Sequence, residues 1–257
     1  MPVLSQIPPA LQPGRGRLTT LDTLRGLTLV SMIGYHLCYN LDAIFDISLP
    51  WYHTLIGTFW QMLSSVPFLL IAGICTHLSG RALRHAGRTG LAAAGISLAT
   101  LLFMPSALIV FGILHCLTVC QLLYAALRKS LRKVRPWMGL AVCLLLYGIT
   151  FRLPEGYLWF PPYKLALPAA LYQWKWLSVL GFLSPEFYSA DYFPLLPNVF
   201  LFFAGHYLGY WLPRLRRRTI TRLTRPLTFL GRHSMAVYLL HQPVLFGVMQ
   251  LVFGQGI

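Results

Sequence analysis

The sequence predicts an all-α, polytopic membrane protein with about seven transmembrane helices, and both the composition and the placement of charge support this prediction. Hydrophobic residues make up 56% of the 257 residues, and charged residues make up only 11%. The mean hydropathy is +0.62. A water-soluble domain of this length could not bury so much apolar surface, whereas membrane helices expose it to lipid. We therefore exclude an ordinary soluble domain.

A helix that crosses the ~30 Å hydrocarbon core needs about 20 mostly apolar residues. Seven stretches of the sequence are candidates for such helices, and the third and fifth of them are shorter than the others. Because proline ends a helix and serine can start one, Met104-Pro105-Ser106 predicts an almost loopless hairpin between the third and fourth. The predicted helices are Gly26–Ile44, Leu55–His77, Gly90–Met104, Ser106–Leu127, Trp137–Phe151, Phe193–Leu212 and Leu227–Val252.

Positive charge accumulates in alternate loops. Of the 21 Lys and Arg residues, 17 lie in the segments 15–25, 81–88, 128–135 and 214–225. Five of the six acidic residues lie in the other loops. Basic loops stay in the cytoplasm, so we predict an N-terminus inside and a C-terminus outside. The charge of +15 is explained by topology rather than by nucleic-acid binding.

A long segment rich in Tyr, Trp and Phe, residues 152–192, is predicted on the outer side. It contains an eighth hydrophobic stretch, Leu165–Leu183, which is interrupted by Pro168 and Lys175. If this stretch crossed the membrane, the arginine-rich segment 214–225 would be exported. We therefore interpret it as an interfacial or re-entrant helix.

The remaining chain predicts one domain. Residues 1–20 are expected to form a cytoplasmic segment and residues 21–252 a single membrane-embedded domain, with the first helix as an uncleaved anchor. All five cysteines fall inside predicted helices, where they are expected to pack as small apolar side chains. No metal-ligand spacing and no nucleotide-binding glycine loop occurs in the sequence, so no metal is expected.

Histidines within the predicted helices are the main candidates for chemistry, because ionisable groups at membrane depth are costly and need a partner or a cavity. His36, His115 and His241 all fall near the middle of their predicted helices. They could converge on one cavity, with Gln242 beside His241. Each could instead make a helix–helix hydrogen bond without a chemical role.

The first helix places an arginine and a histidine on one face. Arg25 and His36 are eleven residues apart, which is close to three full turns and about 16 Å along the axis. Arg25 could therefore bind a phosphate at the cytoplasmic edge while His36 reaches the membrane interior. Asp22 could orient the guanidinium as an ion pair, or could simply favour the positive helix N-terminus.

Four blocks of the chain carry a resemblance to a known family. LDTLRGLTLVSMIGYH (21–36), FGILHCL (111–117), SADYFPLLPN (189–198) and LGRHSMAVYLLHQPVL (230–245) occur in this order. They resemble blocks of the heparan-alpha-glucosaminide N-acetyltransferase catalytic-domain family. The spacing from Arg25 to His36 is also similar to that of membrane O-acyltransferases that modify bacterial glycans. The resemblance spans about residues 20 to 247.

The resemblance implies transfer of an acetyl or other short acyl group from cytoplasmic acyl-CoA to an extracytoplasmic glycan or amino sugar. Acetyl-CoA is then the expected donor, with its phosphates near Arg25 and its thioester at His36. His36 could act as a general base or could accept the acyl group itself. Asp191 and Asn198 could bind the acceptor, or could serve as capping and packing residues.

The residues alone are also compatible with two other classes of function. A proton-coupled small-molecule transporter could use the same histidines as substrate ligands. An assembly protein with inert helices would not need His36 at all. The compactness of one short chain and its family resemblance favour the inner membrane of a bacterium as the location.

Overall fold

The computed structural model describes residues 18–212 and 224–254. Within these ranges the chain is mostly helical, with one small β-hairpin. The strands are β1 (Tyr157–Phe160) and β2 (Tyr163–Ala166). The helices are α1 (Thr19–Ala43), α2 (Leu55–Leu78), α3 (Ala82–Phe103), α4 (Ile113–Leu131), α5 (Pro136–Thr150), α6 (Leu195–Leu208), α7 (Arg225–Arg232) and α8 (Ser234–Phe253).

Each of the seven predicted helices corresponds to helical structure, but the last one is divided. The chain leaves the helical conformation at His233, so that α7 and α8 replace one helix over Leu227–Val252. Gly231, which has low helix propensity, lies two residues before this break. Arginines 15, 17, 214, 216, 217, 218 and 222 lie outside the described residues, as does the C-terminal end whose side we predicted.

The connection between α3 and α4 is longer than predicted. Ser106 does not start a helix; it lies in a 3-10 turn, Pro105–Ala107, and α4 begins only at Ile113. Side chains of α3 bind the backbone of this connection, since Ser97 Oγ donates to the Ile109 carbonyl at 2.6 Å. The prediction of an almost loopless hairpin is therefore wrong, because these side-chain bonds stabilise an irregular loop over residues 104–112.

The aromatic segment 152–192 contains a β-hairpin instead of the expected helix. β1 and β2 pair antiparallel, with Tyr157 opposite Ala166. The remainder of Leu165–Leu183 forms 3-10 turns at Ala169–Tyr172 and Lys175–Leu180. Leu165 and Ala166 pair in the hairpin, and Pro168 separates the hairpin from the first of these turns, so no continuous helix runs through Leu165–Leu183. The predicted α-helix is therefore wrong.

Helix α6 forms the centre of the molecule. Most of its side chains are buried, including Phe202, which has no exposed surface. It packs mainly against α2 and α5 and also contacts α4. Helix α1 packs against α2, α7 and α8, while α3 pairs with α4. The first helix and the last two therefore form one neighbourhood, beside the core built around α6.

Large apolar side chains cover the outer surfaces of several helices. Leu251 is 87% exposed, Leu55 85% and Phe103 81%. Such a surface is unfavourable in water and suited to lipid. Within the described residues, four helices are long and apolar enough to cross a membrane: Leu55–Leu78, Ala82–Phe103, Pro136–Glu155 and Ser234–Phe253. A shorter apolar helix is α6.

Backbones approach unusually closely where α1 crosses α7. A Cβ atom on Gly231 would lie 1.7 Å from the Asp22 carbonyl oxygen, and one on Gly26 would lie 1.9 Å from that of Leu227. Real atoms cannot approach so closely, so both positions require glycine. Thr23 Oγ1 and Thr228 Oγ1 add a hydrogen bond of 2.8 Å across the same contact. This contact fixes α7 against the cytoplasmic end predicted for α1.

Candidate functional site

His36 and His241 lie side by side between α1 and α8. Their ring centroids are 5.0 Å apart, with the ring planes inclined by 54°. Gln242 Nε2 donates to His36 Nδ1 at 3.3 Å, and Asn40 Nδ2 donates to Gln242 Oε1 at 3.0 Å. The helical repeat places Asn40 one turn after His36, on the same face of α1. Three of the predicted site residues, His36, His241 and Gln242, are thus brought together.

His241 is connected to Asp191 through Tyr238, one turn earlier in α8. His241 Nδ1 lies 2.5 Å from the Tyr238 carbonyl oxygen. The Tyr238 hydroxyl donates to Asp191 Oδ2 at 3.3 Å, and the Ile113 backbone N–H points to the same oxygen at 3.4 Å. Ile113 is the first residue of α4, where a carboxylate is favoured by the helix dipole. Asp191 therefore joins α4 to the histidine pair.

Two irregular segments meet at Asp191. The Ala190 N–H donates to the Leu108 carbonyl at 3.0 Å, and the Phe193 N–H donates to the Phe111 carbonyl at 3.0 Å. The end of the aromatic segment 152–192 thus runs alongside the α3–α4 connection. Burial raises the pKa of the Asp191 carboxyl, although the bonds from Ile113 and Tyr238 oppose this shift.

His115 takes a different position from the one predicted. It is the third residue of α4, because this helix starts at Ile113 rather than at Ser106, so the prediction of a position midway along the helix is wrong. Its Nδ1 accepts from the Gly112 N–H at 3.2 Å, and its Nε2 lies 3.1 Å from Ser97 Oγ. Both ring nitrogens are thereby engaged in holding the start of α4.

Asp22 and Arg25 form an ion pair at the opposite end of α1. Arg25 Nη1 lies 3.3 Å from Asp22 Oδ1 and 3.4 Å from the Gly231 carbonyl oxygen. Arg25 Nη2 donates to Cys75 Sγ at 2.9 Å, and Arg232 Nε lies 3.7 Å from Asp22 Oδ2. The buried Asp22 is thus held between two arginines. Arg25 faces α7 while His36, further along α1, faces α8.

Asn198 does not meet the other candidates. Its side chain is buried in the interior around α6, and its Nδ2 donates to the Pro194 carbonyl at 2.8 Å. Pro194 lies four residues, or about one helical turn, before Asn198. The bond therefore satisfies a backbone carbonyl at the start of α6 and stabilises it. Asn198 therefore has the geometry of a packing residue.

A basic depression lies beside the turn between α2 and α3. It has a volume of about 630 Å³ and is lined by Arg81, Arg84, Arg88 and His85, among others. A neighbouring depression reaches Arg128 of α4. Leu78 lines the first of these two depressions. It is three residues after Cys75, which is about 5 Å along a helix. The depression thus lies close to the Arg25 contact on α2.

Among the residues that the structure describes, no group of three or more His, Cys, Asp or Glu could hold a metal ion. The family model described as heparan-alpha-glucosaminide N-acetyltransferase, catalytic, matches residues 17–243. The chain belongs to this family. Neither the search of curated proteins nor the search of solved structures gave a match.

Membership of the heparan-alpha-glucosaminide N-acetyltransferase family confirms the resemblance seen in the four sequence blocks. Together with the four apolar helices, it identifies an integral membrane protein and indicates a membrane acetyltransferase. The matched region contains every candidate residue, from Asp22 to Gln242. It therefore contains both ends of the α1 face described above.

The sequence reasoning missed four residues of this acetyltransferase-family site: Asn40, Tyr238, Cys75 and Gly231. Two of them had a readable signal. Asn40 is a polar residue one turn after His36, and Tyr238 precedes His241 by three residues, so each shares a helix face with a predicted histidine. Cys75 and Gly231 contribute through contacts between separate helices, which helical periodicity does not indicate.

Proposed function

We propose that this protein transfers an acetyl or other short acyl group from cytoplasmic acyl-CoA to an extracytoplasmic glycan or amino-sugar acceptor. The observation that carries this proposal is the division of α1 into two functional ends. Arg25 makes contacts at one end, and His36 lies against His241 at the other. About 16 Å of helix separates the two positions. A donor could therefore be bound on one side of the membrane and react nearer the other.

The charge of the loops assigns them to the two sides of the membrane. Contacts between loops of the same side support this assignment. Arg232 lies near Asp22, and Arg128 lies in a depression with Arg81, so segments assigned to the cytoplasm lie together. Segments assigned to the outside also lie together, because residues 108–111 bond to residues 190–193. We propose seven membrane crossings on this basis, with the N-terminus inside and the C-terminus outside. A bacterial inner membrane suits this arrangement.

The donor would bind at the cytoplasmic end of α1. Phosphate groups are recognised well by arginine, and the depression lined by Arg81, Arg84 and Arg88 supplies several. Arg25 uses three of its five N–H groups in the described contacts with Asp22, Gly231 and Cys75. In this proposal the CoA phosphates occupy the basic depression, and Arg25 guides the donor's arm towards His36.

The thioester would be presented at His36, which is the proposed catalytic residue. His36 could take a proton from the acceptor or could carry the acyl group itself. His241 and Gln242 line the same space. Asp191 is the proposed contact for the acceptor, because it lies beside the outer segment and is linked to His241 through Tyr238. His115 and Asn198 support the surrounding helices.

The test is CoA release by purified protein in detergent with acetyl-CoA and radiolabelled acyl groups. We expect wild-type protein to release CoA, and His36→Ala to lose this activity, with any label on the protein lost as well. His53→Ala, a histidine of the connection between α1 and α2, is the control. Release that is unchanged in His36→Ala would refute the assignment of His36. If no CoA is released and a proton gradient drives solute uptake, the transporter alternative is correct.

A further inference from the structure

The hydrogen bonds around the histidine pair assign a different proton position to each ring. The Tyr238 carbonyl can only accept a hydrogen bond, so His241 Nδ1 must carry the proton that it donates there. In the neutral ring the lone pair of His241 is therefore on Nε2. That nitrogen is buried and has no hydrogen-bond partner among the described residues.

His36 has the opposite arrangement. Its Nδ1 accepts from the Gln242 amide, whose oxygen in turn accepts from Asn40. The ring proton of neutral His36 is then on Nε2. The pair thus combines a histidine that can accept a proton with one that can donate a hydrogen bond. The ring centroids are 5.0 Å apart, so one bound group can lie close to both rings.

A second unpaired acceptor lies on α1, one turn after His36. Asn40 Oδ1 is buried without a partner among the described residues, while the amide nitrogen of the same side chain binds Gln242. A buried acceptor without a donor costs about 1–3 kcal/mol. Two such acceptors, Asn40 Oδ1 on α1 and His241 Nε2 on α8, belong to the residues around the histidine pair. They favour a ligand that brings N–H or O–H donors, as an alcohol or an amine does.

We propose that His241 is the catalytic base and that His36 binds the thioester carbonyl; this inference rests on the proposed acyl transfer. The acceptor hydroxyl gives its proton to His241 Nε2 while its oxygen attacks the carbonyl carbon of the acyl-CoA thioester. His36 Nε2–H donates a hydrogen bond to the developing oxyanion. The C–S bond then breaks, and the CoA thiolate takes the proton back from His241. An acyl ester and CoA thiol are the products.

This division of roles replaces both of the mechanisms left open for His36, because the base is His241 and His36 acts as a hydrogen-bond donor. Acylation of His36 would need a nucleophilic lone pair, but Nδ1 is engaged by Gln242 and Nε2 carries the proton. Asp191 acts as a positioning residue. It accepts from the Tyr238 hydroxyl and so holds in place the residue whose carbonyl binds His241 Nδ1.

The first test measures the proton positions directly. We expect ¹⁵N NMR of histidine-labelled protein to show the Nδ1–H form for His241 and the Nε2–H form for His36, with assignment by single His→Asn variants. This experiment uses the protein without donor or acceptor, so it is independent of turnover. An Nε2–H form for neutral His241 would overturn the inference.

The second test compares two nucleophiles in acetyl-CoA turnover, with protein-free blanks subtracted. Methyl glucoside reacts through a hydroxyl group that needs a base, whereas hydroxylamine attacks without prior loss of a proton. His241→Asn keeps a donor for the Tyr238 carbonyl but removes the base. We expect about a 10²- to 10⁴-fold loss with methyl glucoside, and less than about 10-fold with hydroxylamine. His36→Asn should slow both reactions.

The control is His233→Asn, because exposed His233 also binds a helix carbonyl, that of Phe229, through Nδ1 at 2.9 Å. Wild-type rates in His241→Asn with methyl glucoside would overturn the role of His241 and leave acyl transfer intact. If wild-type protein releases no CoA with either nucleophile, the proposed acyl transfer itself is wrong and the base assignment falls with it. If His241→Asn does not fold, the NMR result decides.

Discussion

His36 and His241, from opposite ends of the chain, lie with their ring centroids 5.0 Å apart. Gln242 bonds to His36, and Tyr238 bonds to His241, so each ring is held by a residue of α8. The proximity of the two rings therefore depends on the packing of α8 against α1. It is this contact that gives the family's catalytic region a defined reacting centre in the proposed mechanism.

Arg25→Lys should weaken donor binding while the ion pair with Asp22 is kept. Lysine retains the positive charge but cannot donate at once towards Cys75 and the Gly231 carbonyl. We expect the KM for acetyl-CoA to rise by about 10-fold, which corresponds to roughly 1.4 kcal/mol, with a small effect on kcat. Steady-state kinetics of CoA release measure this change.

The matched control for Arg25 is Arg152→Lys. Arg152 lies in the aromatic segment 152–192, which we predict on the outer side, and pairs with Glu155. We expect its substitution to leave the KM for acetyl-CoA unchanged. An equal rise in both variants would show that the effect of Arg25 is not specific to the donor.

Gln242→Leu should disconnect His36 from Asn40. The variant removes the donor to His36 and leaves the buried Asn40 amide without its acceptor, which costs about 1–3 kcal/mol. We expect a lower unfolding temperature and at least about a 10-fold lower kcat. Adding Asn40→Leu removes the unpaired amide, so the double variant should regain stability but not kcat.

The matched control for Gln242 is Gln61→Leu, an exposed position on α2. Its unfolding temperature and kcat should stay close to those of the wild type. Recovery of kcat in the Asn40→Leu/Gln242→Leu double variant would contradict a role for this network in positioning His36.

Gly231→Ala should separate α7 from α1. The added Cβ would lie 1.7 Å from the Asp22 carbonyl oxygen, so the helices must move apart. We expect a loss of about 1–3 kcal/mol in the free energy of unfolding, as for overpacked cores, measured by thermal unfolding in detergent. Gly247→Ala on α8 is the control, because its Cβ would meet no atom within 4 Å. An unchanged unfolding temperature in Gly231→Ala would argue against the close crossing.

Asp191→Asn should change how stability depends on pH. Burial raises the pKa of the Asp191 carboxyl, so the folded chain binds this proton more tightly than the unfolded chain does. The carboxyl therefore destabilises the fold progressively as the pH rises from its ordinary pKa of about 3.9 through the raised value. Above the raised value the destabilisation is constant. The asparagine variant lacks this dependence.

We expect the unfolding temperature of Asp191→Asn, minus that of the wild type, to increase as the pH rises through this window. Thermal unfolding of both proteins, beginning at about pH 4, measures the difference. The exposed Asp46→Asn is the control. A difference that shrinks with rising pH would mean that the charged form of Asp191 is favoured by its surroundings.

The helices were predictable because their signal is local in the chain. Runs of apolar residues located each helical region, whereas helix ends depend on individual contacts. The break at His233 coincides with the α1–α7 crossing, and the late start of α4 depends on side chains of α3. The β-hairpin was missed because its strands, like the expected helix, are apolar and aromatic.

The candidate site was predictable where residues share a helix face. Periodicity within α1 predicted a common face for Arg25 and His36, whereas in the structure Arg25 contacts α7 and α2, and His36 contacts α8. The pairing of His36 with His241 depends on the rotation of α8 about its own axis, which hydrophobicity does not determine when most of a helix is apolar. For the same reason the sequence did not show which way Asn198 faces. It was predicted to bind the acceptor, whereas in the structure its amide binds the Pro194 carbonyl.

The glycine contact between α1 and α7 has a consequence for biosynthesis. Thr23 and Thr228, which bond across this crossing, are 205 positions apart. A growing chain releases α1 from the ribosome long before α7 and α8 exist. In the seven-crossing topology proposed above, the first helix would therefore enter the bilayer while Asp22, Arg25 and His36 still lack their neighbours on α7 and α8. Chains that end before Arg225 should consequently lack one whole side of this crossing.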